Sequence, residues 1–336
     1  MLDTAKNTEY QPNLCSPDLN LENRFYALAQ SNLSNQLQKI ITATPNEIDA
    51  YGNGEIVASK DFRIHIQGYE ELVNGINQSA AMLLDCLMII ATDGGLRDTF
   101  IELPLKKYMI MRGLKDEKSV RAQVKRDIDA FKRVRCSYYK YNKKKERKYY
   151  SGHIADKTFE AAGLIFNGKI YFRFSQNFFD IFKVNEKGKY LYMYLPKEAL
   201  QGNIKQHPHK YWFARKISEH KRMNLGKPNE NIIGVRTLIE ACPNLPSYEN
   251  IANGNRNITK RMIKPFERDM NELNEILSWH YTSKQESPKD YESFISATVT
   301  IQWESYPDVE KLKYKKHREV IHTGKSYIHI KKKQAN

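Results

Sequence analysis

The pattern of hydrophobic and polar positions along this chain predicts helices first and strands afterwards. Gln78 to Thr92 is apolar nearly all round, and the following Asp93-Gly94-Gly95 is a good stop signal, so we expect a buried helix. Thr99 to Leu103 has the pattern of a short strand. Pro104 then opens a second helix, which ends at Gly113.

Asp116 to Arg135 gives the clearest helical pattern in the chain. Asp116 is the expected N-cap, and Glu117 places an acidic side chain in the first turn. At about 100° per residue, four apolar residues fall on one stripe: Val120, Val124, Ile128 and Phe131. An adjoining face is basic, with Lys118, Arg121, Lys125 and Lys132. We therefore expect one side of this helix to pack against the core and the other side to be basic.

Two hairpins are predicted after this helix. Cys136 to Tyr141 and Tyr149 to Ile154 flank the charged segment 142–148, which indicates a hairpin with a basic tip. The second hairpin turns at Asn167-Gly168, the dipeptide that favours type I′ geometry. Three helices followed by hairpin strands is the order of a winged helix-turn-helix domain.

A similar order recurs after residue 183. The segment 190–196 is short and apolar and is expected to link the two halves, and Pro208 opens a helix over 209–223. Ile232 to Cys242 is predicted as a second helix, and Asn257 to Trp279 as a long third helix that Pro265 kinks or starts. Two strand-like segments come last, over 279–283 and 294–303.

These patterns predict an α+β chain with two tandem winged helix-turn-helix domains. We expect a flexible N-terminal arm over 1–55 with a short docked helix within Leu21 to Ile41, a first winged-helix domain over 56–185, a second over 186–304, and a basic C-terminal tail over 305–336. A length of 336 residues fits two domains with a tail at one or both ends.

The charge balance indicates the kind of partner. The chain has 54 Lys and Arg against 39 Asp and Glu, a formal net charge of +15, which favours nucleic acid or a membrane surface over an acidic metabolite. The longest apolar stretch, 80–91, is shorter than the roughly 20 residues that a membrane-spanning helix needs. No secretory signal is visible at the N-terminus, so we expect a cytoplasmic protein, associated with a bacterial nucleoid or plasmid.

Basic side chains are densest between residues 131 and 150. Nine Lys and Arg stand there against Glu146 alone, interleaved with five tyrosines that add hydroxyl donors. Taken with the basic face of the preceding helix, this segment favours nucleic-acid contact over a solvated loop. The candidate DNA-binding residues of the first half are Lys118, Arg121, Lys125, Lys143, Lys144 and Lys145.

The second half offers a second set of candidates. Lys260, Arg261, Lys264 and Arg268 lie at one-turn spacings and would form a cationic ridge on a helix that could enter a major groove. Arg256 and Asn257, just before this helix, carry groups that read base edges or grip phosphates at a helix N-terminus. A loop with an N-cap is the simpler interpretation of these last two residues.

The sequence gives little support for an active site. It lacks a Walker motif, a nucleophile elbow and a His-Glu-x-x-His motif, and its four cysteines lie far apart without zinc-finger spacing. His207-Pro208-His209 superficially matches the metal motif of rolling-circle nucleases, for which Tyr211 or Tyr281 could serve as nucleophile. Because the triplet leads into a helix, a structural or capping role is favoured. We expect no enzymatic activity, metal or cofactor.

Five segments of the chain resemble plasmid replication initiators that are built from two tandem winged-helix domains. In the first half they are Pro104 to Arg135, similar to the family's first helix-turn-helix, and the strand Ile170 to Ser175. In the second half they are Tyr211 to His220, Leu245 to Glu249, and Arg261 to Asp269, the last similar to the Arg-x-x-x-Pro pattern of a recognition helix. The resemblance covers about residues 70 to 303. It implies that the second domain makes the stronger sequence-specific contacts, whereas the first adds contacts and helps to form a repressing dimer.

The sequence thus favours a non-enzymatic replication initiator that binds repeated origin sequences in double-stranded DNA and recruits host replication proteins. The implied partners are DNA, host helicase or primase machinery, and a second copy of the chain, without a membrane. A winged-helix transcriptional regulator or phage DNA-binding protein is the alternative. A metal-dependent nicking enzyme that uses His207 and His209 is a third, less favoured hypothesis.

Overall fold

The computed structural model describes residues 24–30, 55–59, 62–66, 77–141, 146–159, 165–182, 191–242, 245, 257–283, 288 and 290–307. These residues form a mixed α+β structure, as predicted. We call residues 77–182 the first unit and residues 210–303 the second unit. The predicted domain boundaries are not themselves tested by these ranges and stay a prediction.

Three strands precede the helices of the first unit: β1 (Phe25–Gln30), β2 (Glu55–Ser59) and β3 (Phe62–Ile66). Strand β1 lies within the segment for which a docked helix was expected, so for residues 25–30 that prediction is wrong. Its alternation of small and large apolar residues suits a strand that is buried on both faces.

The helices of the first unit follow the sequence patterns closely. Helix α1 (Gln78–Asp93) begins at Asn77, whose Oδ1 accepts the Ala80 amide at 3.1 Å, and most of its side chains are buried. After strand β4 (Phe100–Pro104), helix α2 (Leu105–Arg112) ends at Gly113, which has a left-handed φ of 63°. Helix α3 (Glu117–Arg133) is capped by Asp116, as predicted.

Four further strands complete the first unit: β5 (Val134–Tyr141), β6 (Arg147–His153), β7 (Ile165–Phe166) and β8 (Lys169–Arg173). Strands β5 and β6 form the first predicted hairpin, within a four-stranded sheet of order β2-β3-β5-β6. Strands β7 and β8 form the second predicted hairpin, and β8 also pairs with β4, giving the order β4-β8-β7. A short helix α4 (Gln176–Phe179) follows.

A two-stranded ribbon lies between the two units. Strand β9 (Leu191–Pro196) pairs antiparallel with β1, so the segment that was expected to be a simple linker is a strand. Leu28 and Ala29 of β1 join the main hydrophobic core, whereas Phe25 and Ala27 join a smaller cluster with Tyr194 and Ile276. Part of the predicted N-terminal arm is therefore built into the junction of the units.

The second unit begins with helix α5 (Lys210–Asn224), strand β10 (Ile232–Gly234) and helix α6 (Val235–Ile239). The sequence pattern predicted one helix from Ile232 to Cys242, and this is wrong for its first three residues. They pair with the last strand of the unit.

The third helical segment of the second unit is shorter than predicted. A π-helical turn (Thr259–Ile263) leads into helix α7 (Lys264–Asn271), and strand β11 (Leu277–Tyr281) occupies the remainder of the segment. Helix α8 (Tyr291–Ser296) and strand β12 (Thr298–Trp303) end the unit. The sheet order β10-β12-β11 matches the order β4-β8-β7 of the first unit.

One hydrophobic core runs through both units and contains α1, α3, α5 and α7. At its centre Asp85 of α1 accepts hydrogen bonds from Tyr211 Oη at 2.6 Å and Arg215 Nε at 2.9 Å, both on α5. Asp85 is 1% exposed and Arg215 6% exposed. A buried, hydrogen-bonded ion pair tolerates little displacement, so it holds the two helices in one relative position.

Candidate nucleic-acid interface

The third helical segment of the second unit has one buried and one exposed side. Met262, Ile263, Phe266 and Met270 are buried in the core. The predicted cations all lie on the solvent side, where Lys260, Arg261, Lys264 and Arg268 are exposed. The structure therefore brings together the four cations that sequence spacing placed on one ridge.

A widened turn sits in the middle of this ridge. The Lys264 amide donates to the Thr259 carbonyl, five residues back rather than the four of an α-helix, and Pro265 follows directly. Proline has no amide hydrogen to give to the Arg261 carbonyl, so it is compatible with a helix that is irregular at this point. The extra residue in the turn sets how Lys260 and Arg261 are rotated relative to Lys264 and Arg268.

Asn257 caps this helical segment. Its Oδ1 accepts the Lys260 amide at 3.1 Å, which is the capping role that was the simpler of the two interpretations of this residue. Arg256, which was predicted beside it, lies outside the described residues.

The last cation of the ridge is anchored to the core. Arg268 Nε donates to Asp269 Oδ1 at 2.7 Å, and Asp269 is 0% exposed. Asp269 Oδ2 in turn accepts the His209 amide at 2.8 Å, at the start of α5. Asp269 thus links the ridge to the first helix of the unit, and Arg268 has less freedom than Lys260, Arg261 or Lys264.

The His207-Pro208-His209 triplet lies at this same link. His209 is buried with its ring 6.1 Å from the Phe213 ring, and burial lowers the pKa of its imidazole to about 4. His207 lies 3.4 Å from Asp269 Oδ1 and 3.7 Å from Glu272 Oε1. These contacts favour the structural interpretation of the triplet over a metal site. Within the described residues there is no group of three His, Cys, Asp or Glu that could hold a metal ion.

Helix α3 carries the predicted cations of the first unit. The stripe of Val120, Val124, Ile128 and Phe131 is buried, as predicted. Lys118 and Lys125 are exposed, and Arg121 is half-buried. Arg121 is also paired with Glu117, whose Oε1 lies 2.6 Å from Nη2, so part of its charge is compensated.

Sequence reasoning missed three exposed cations of the first unit. Arg126 is exposed on α3, with its guanidinium 2.8 Å from Gln123 Oε1, and Lys106 and Lys107 are exposed in the first turn of α2. The signal for Arg126 was available, because the helical stripe of Val124 and Ile128 leaves position 126 on the opposite side.

A buried carboxyl group positions α3 on the core. Asp127 accepts hydrogen bonds from Ser79 Oγ of α1 at 3.0 Å and from Gln123 Nε2 at 2.6 Å. Burial raises its pKa to about 6, and the two hydrogen bonds oppose that shift. The contact with Ser79 ties the start of α1 to the middle of α3, so the basic face of α3 is held at a fixed angle.

The predicted basic tip with Lys143, Lys144 and Lys145 lies outside the described residues. The hairpin that carries it has an aromatic stem, in which the Tyr138 and Tyr150 rings stack with their centroids 5.2 Å apart. On the other face Tyr139 and Tyr149 are also 5.2 Å apart. Lys148 Nζ lies 5.3 Å from the Tyr150 ring centre. The stacked tyrosines stiffen the hairpin up to the point where the basic segment begins.

None of the helices within the described ranges is both long enough and apolar enough to cross a membrane.

Comparisons with known proteins give a distant structural likeness. No protein-family model matches the sequence, and no curated protein matches it. A crystal structure of a selenomethionine derivative of domains 2 and 3 of RctB is similar, with 12% identity and a TM-score of 0.48, over 81% of this chain and 99% of that chain. A second structure of RctB domains 2-3 has 14% identity and a TM-score of 0.40, over 82% and 99%. At these values the function of the chain has to be argued from its own residues.

Proposed function

We propose that this protein is a sequence-specific double-stranded DNA-binding protein that initiates replication at repeated origin sequences. In this proposal each unit is a winged helix, α3 is the recognition helix of the first unit, and residues 259–271 form that of the second. The role is non-enzymatic, and opening of the DNA is left to host helicase and primase machinery.

The common topology of the units supports the winged-helix assignment. In each unit a helix is followed by a strand, two more helical segments and two strands, and the first strand pairs with the last. In winged-helix proteins this order leaves the third helix free on one side to enter a major groove. The third helical segment of each unit is also where the exposed cations are concentrated.

The observation that carries the proposal is the exposed ridge of Lys260, Arg261, Lys264 and Arg268 above a fully packed helix face. Arginine makes bidentate contacts with guanine edges, and lysine neutralises phosphates, so the ridge has the chemistry of both base reading and positioning. A merely solvated helix face usually carries acidic residues as well, and on this segment the exposed carboxylate lies after the ridge, at Glu272.

The fixed junction of the units supports the reading of two sites at once. Asp85 and Arg215 join α1 to α5 through a buried ion pair, and Arg112 Nε donates to the Leu200 carbonyl at 3.1 Å nearby. Two recognition helices held in one relative orientation require half-sites at one spacing. Such a requirement suits repeated origin sequences.

The initiator role, as distinct from a transcriptional regulator, rests on the sequence resemblance to plasmid initiators. Binding as a homodimer and recruitment of host replication proteins belong to the same proposal.

Selection of bound duplexes from a random pool, at two salt concentrations, tests DNA recognition. We expect the wild-type protein to enrich one motif with two half-sites, and the R261A/K264A variant to bind without enriching it. If the wild-type protein enriches no motif, sequence-specific recognition is wrong. The initiator role is then tested separately, by asking whether the motif occurs as direct repeats that support replication of a plasmid only when the protein is supplied.

A further inference from the structure

The turn between β7 and β8 carries an apolar side chain into solvent. Phe166 is 64% exposed, although most phenylalanines of the described chain are buried in the core. It takes no part in the ring contacts made among the described residues. An exposed aromatic ring at the end of a hairpin calls for a partner that covers it.

The backbone below Phe166 is held rigidly. Asn167 and Gly168 both have positive φ, 49° and 71°, as a type I′ turn requires. The Gly168 carbonyl accepts the Leu105 amide at 2.8 Å, and Lys169 forms an ion pair with Glu102 of β4. Phe166 thus projects from a stiff two-residue turn that is fastened to the start of α2.

The surroundings of Phe166 are cationic. The Leu105 hydrogen bond places the turn at the first turn of α2, where Lys106 and Lys107 are exposed. An apolar tip flanked by lysines fits a polyanion that also offers an apolar surface, and double-stranded DNA has both in its phosphates and stacked bases. A purely apolar protein partner would leave the two ammonium groups without compensation.

We propose that Phe166 is a wedge that enters the minor groove beside the site of α3 and partly unstacks one base step. This inference rests on the proposed function. Side chains such as Phe that are inserted in this way kink DNA by about 20 to 90°. Pyrimidine–purine steps unstack most easily, so we expect the selected motif to contain a TA or CA step at a fixed distance from the half-site of the first unit.

The test measures bending and affinity together on a duplex that carries the selected motif. Energy transfer between dyes at the two duplex ends reports the bend, and F166A is compared with M223A, which truncates another exposed apolar residue, 56% exposed at the end of α5. We expect M223A to behave as the wild type. We expect F166A to lose most of the bend and about tenfold in affinity, since the unstacked step is no longer supported.

Two further variants separate wedging from simple attraction. F166L keeps an apolar wedge and should keep most of the bend, whereas F166K adds a charge and should recover affinity without the bend. An F166A complex that is bent as strongly as the wild-type complex would overturn the inference. So would a loss of self-association by F166A in the absence of DNA, because Phe166 would then face a second copy of the chain.

The outcome is distinguishable from failure of the proposed function. A wild-type protein that enriches a motif but leaves it straight contradicts the wedge alone. A wild-type protein that enriches no motif contradicts the proposed function itself.

Discussion

The two units have the same order of elements but present their third helical segments differently. In the first unit Arg121 is paired with Glu117, and the following hairpin closes in the two-residue turn at Asn167-Gly168. In the second unit Lys260, Arg261 and Lys264 have no ion-pair partner within the part of the chain that the structure describes, and helix α8 lies between the last two strands. Charge that is not compensated is available to a ligand, so we infer that the second unit dominates recognition and the first positions the DNA.

The largest expected effect comes from separating the units. D85N leaves the Arg215 guanidinium buried without its counter-charge, which should lower the free energy of unfolding by about 3 to 5 kcal/mol. Urea unfolding should then show the units losing structure in two steps. The control is R24A, which removes an exposed ion pair with Glu304 and should cost less than about 1 kcal/mol.

A double replacement sharpens this result. D85L/R215M removes both charges and should recover most of the lost stability, because well-packed apolar residues can replace a buried ion pair. Equal destabilisation by D85N and R24A would mean that the two units are not coupled through Asp85.

The next largest effect compares the two recognition helices directly. R261A/K264A should weaken binding to the selected motif about 100-fold, since two contacts of roughly 1 to 3 kcal/mol each are lost. K118A/K125A should weaken all duplexes by a similar, smaller factor of about ten and reduce the salt dependence. K143A/K144A should have a smaller effect than R261A/K264A. Equal losses in the three variants, measured by fluorescence anisotropy, would contradict the dominance of the second unit.

The pH dependence of stability should have opposite signs in the two units. Asp127 in the first unit has a pKa raised to about 6, so between about pH 4 and 6 the folded state holds a proton that the unfolded state releases. Stability from this group therefore falls as pH rises. His209 in the second unit has a pKa lowered to about 4, so the unfolded state takes up a proton below about pH 6.5 and stability falls as pH falls.

Single replacements should reveal each contribution. Relative to the wild type, D127N should gain on the order of 1 to 3 kcal/mol of unfolding free energy as pH rises from 4 to 6, and H209Q should gain as pH falls over the same range. Urea unfolding at a series of pH values measures both. A difference from wild type that stays constant with pH would show that the replaced group does not titrate as described.

The smallest expected effect concerns the π-helical turn. P265A provides an amide hydrogen for the Arg261 carbonyl and favours a regular helix, which would rotate Lys260 and Arg261 away from Lys264. We expect a loss of roughly 1 kcal/mol in binding, about fivefold, without a loss of stability. The first unit has no proline in α3, and Q123A is a suitable control there for a helix substitution outside the ridge. Unchanged affinity of P265A would mean that the turn does not set the geometry of the ridge.

Local patterns predicted a large part of this fold. The helical stripe of α3, the apolar helix α1 and the Asn167-Gly168 turn depend on residues that are close in sequence, so spacing and turn chemistry were enough. The pairing of β1 with β9 joins segments that are far apart in the chain, and no local pattern indicates a strand's partner. Strand β10 has only three residues and was absorbed into a helix prediction.

The candidate site was predicted unevenly for similar reasons. Periodicity located the ridge of the second unit, because cations at one-turn spacing must share a helix face. It could not indicate that Arg268 is tied to Asp269 or that Arg121 is paired with Glu117, because these depend on side-chain conformations. The exposure of Phe166 was invisible in sequence, where an apolar residue in a strand is expected to be buried.

The central claim is that two recognition helices, held at one relative position, read two half-sites with the second unit dominant. The most direct measurement is affinity for the selected motif with 5 or 10 base pairs inserted between its half-sites. We predict that both insertions weaken binding to the level of a single half-site, and that the half-site of the second unit alone retains the greater affinity. Binding that is unchanged by the insertions, or equal affinity for the two isolated half-sites, would contradict the account.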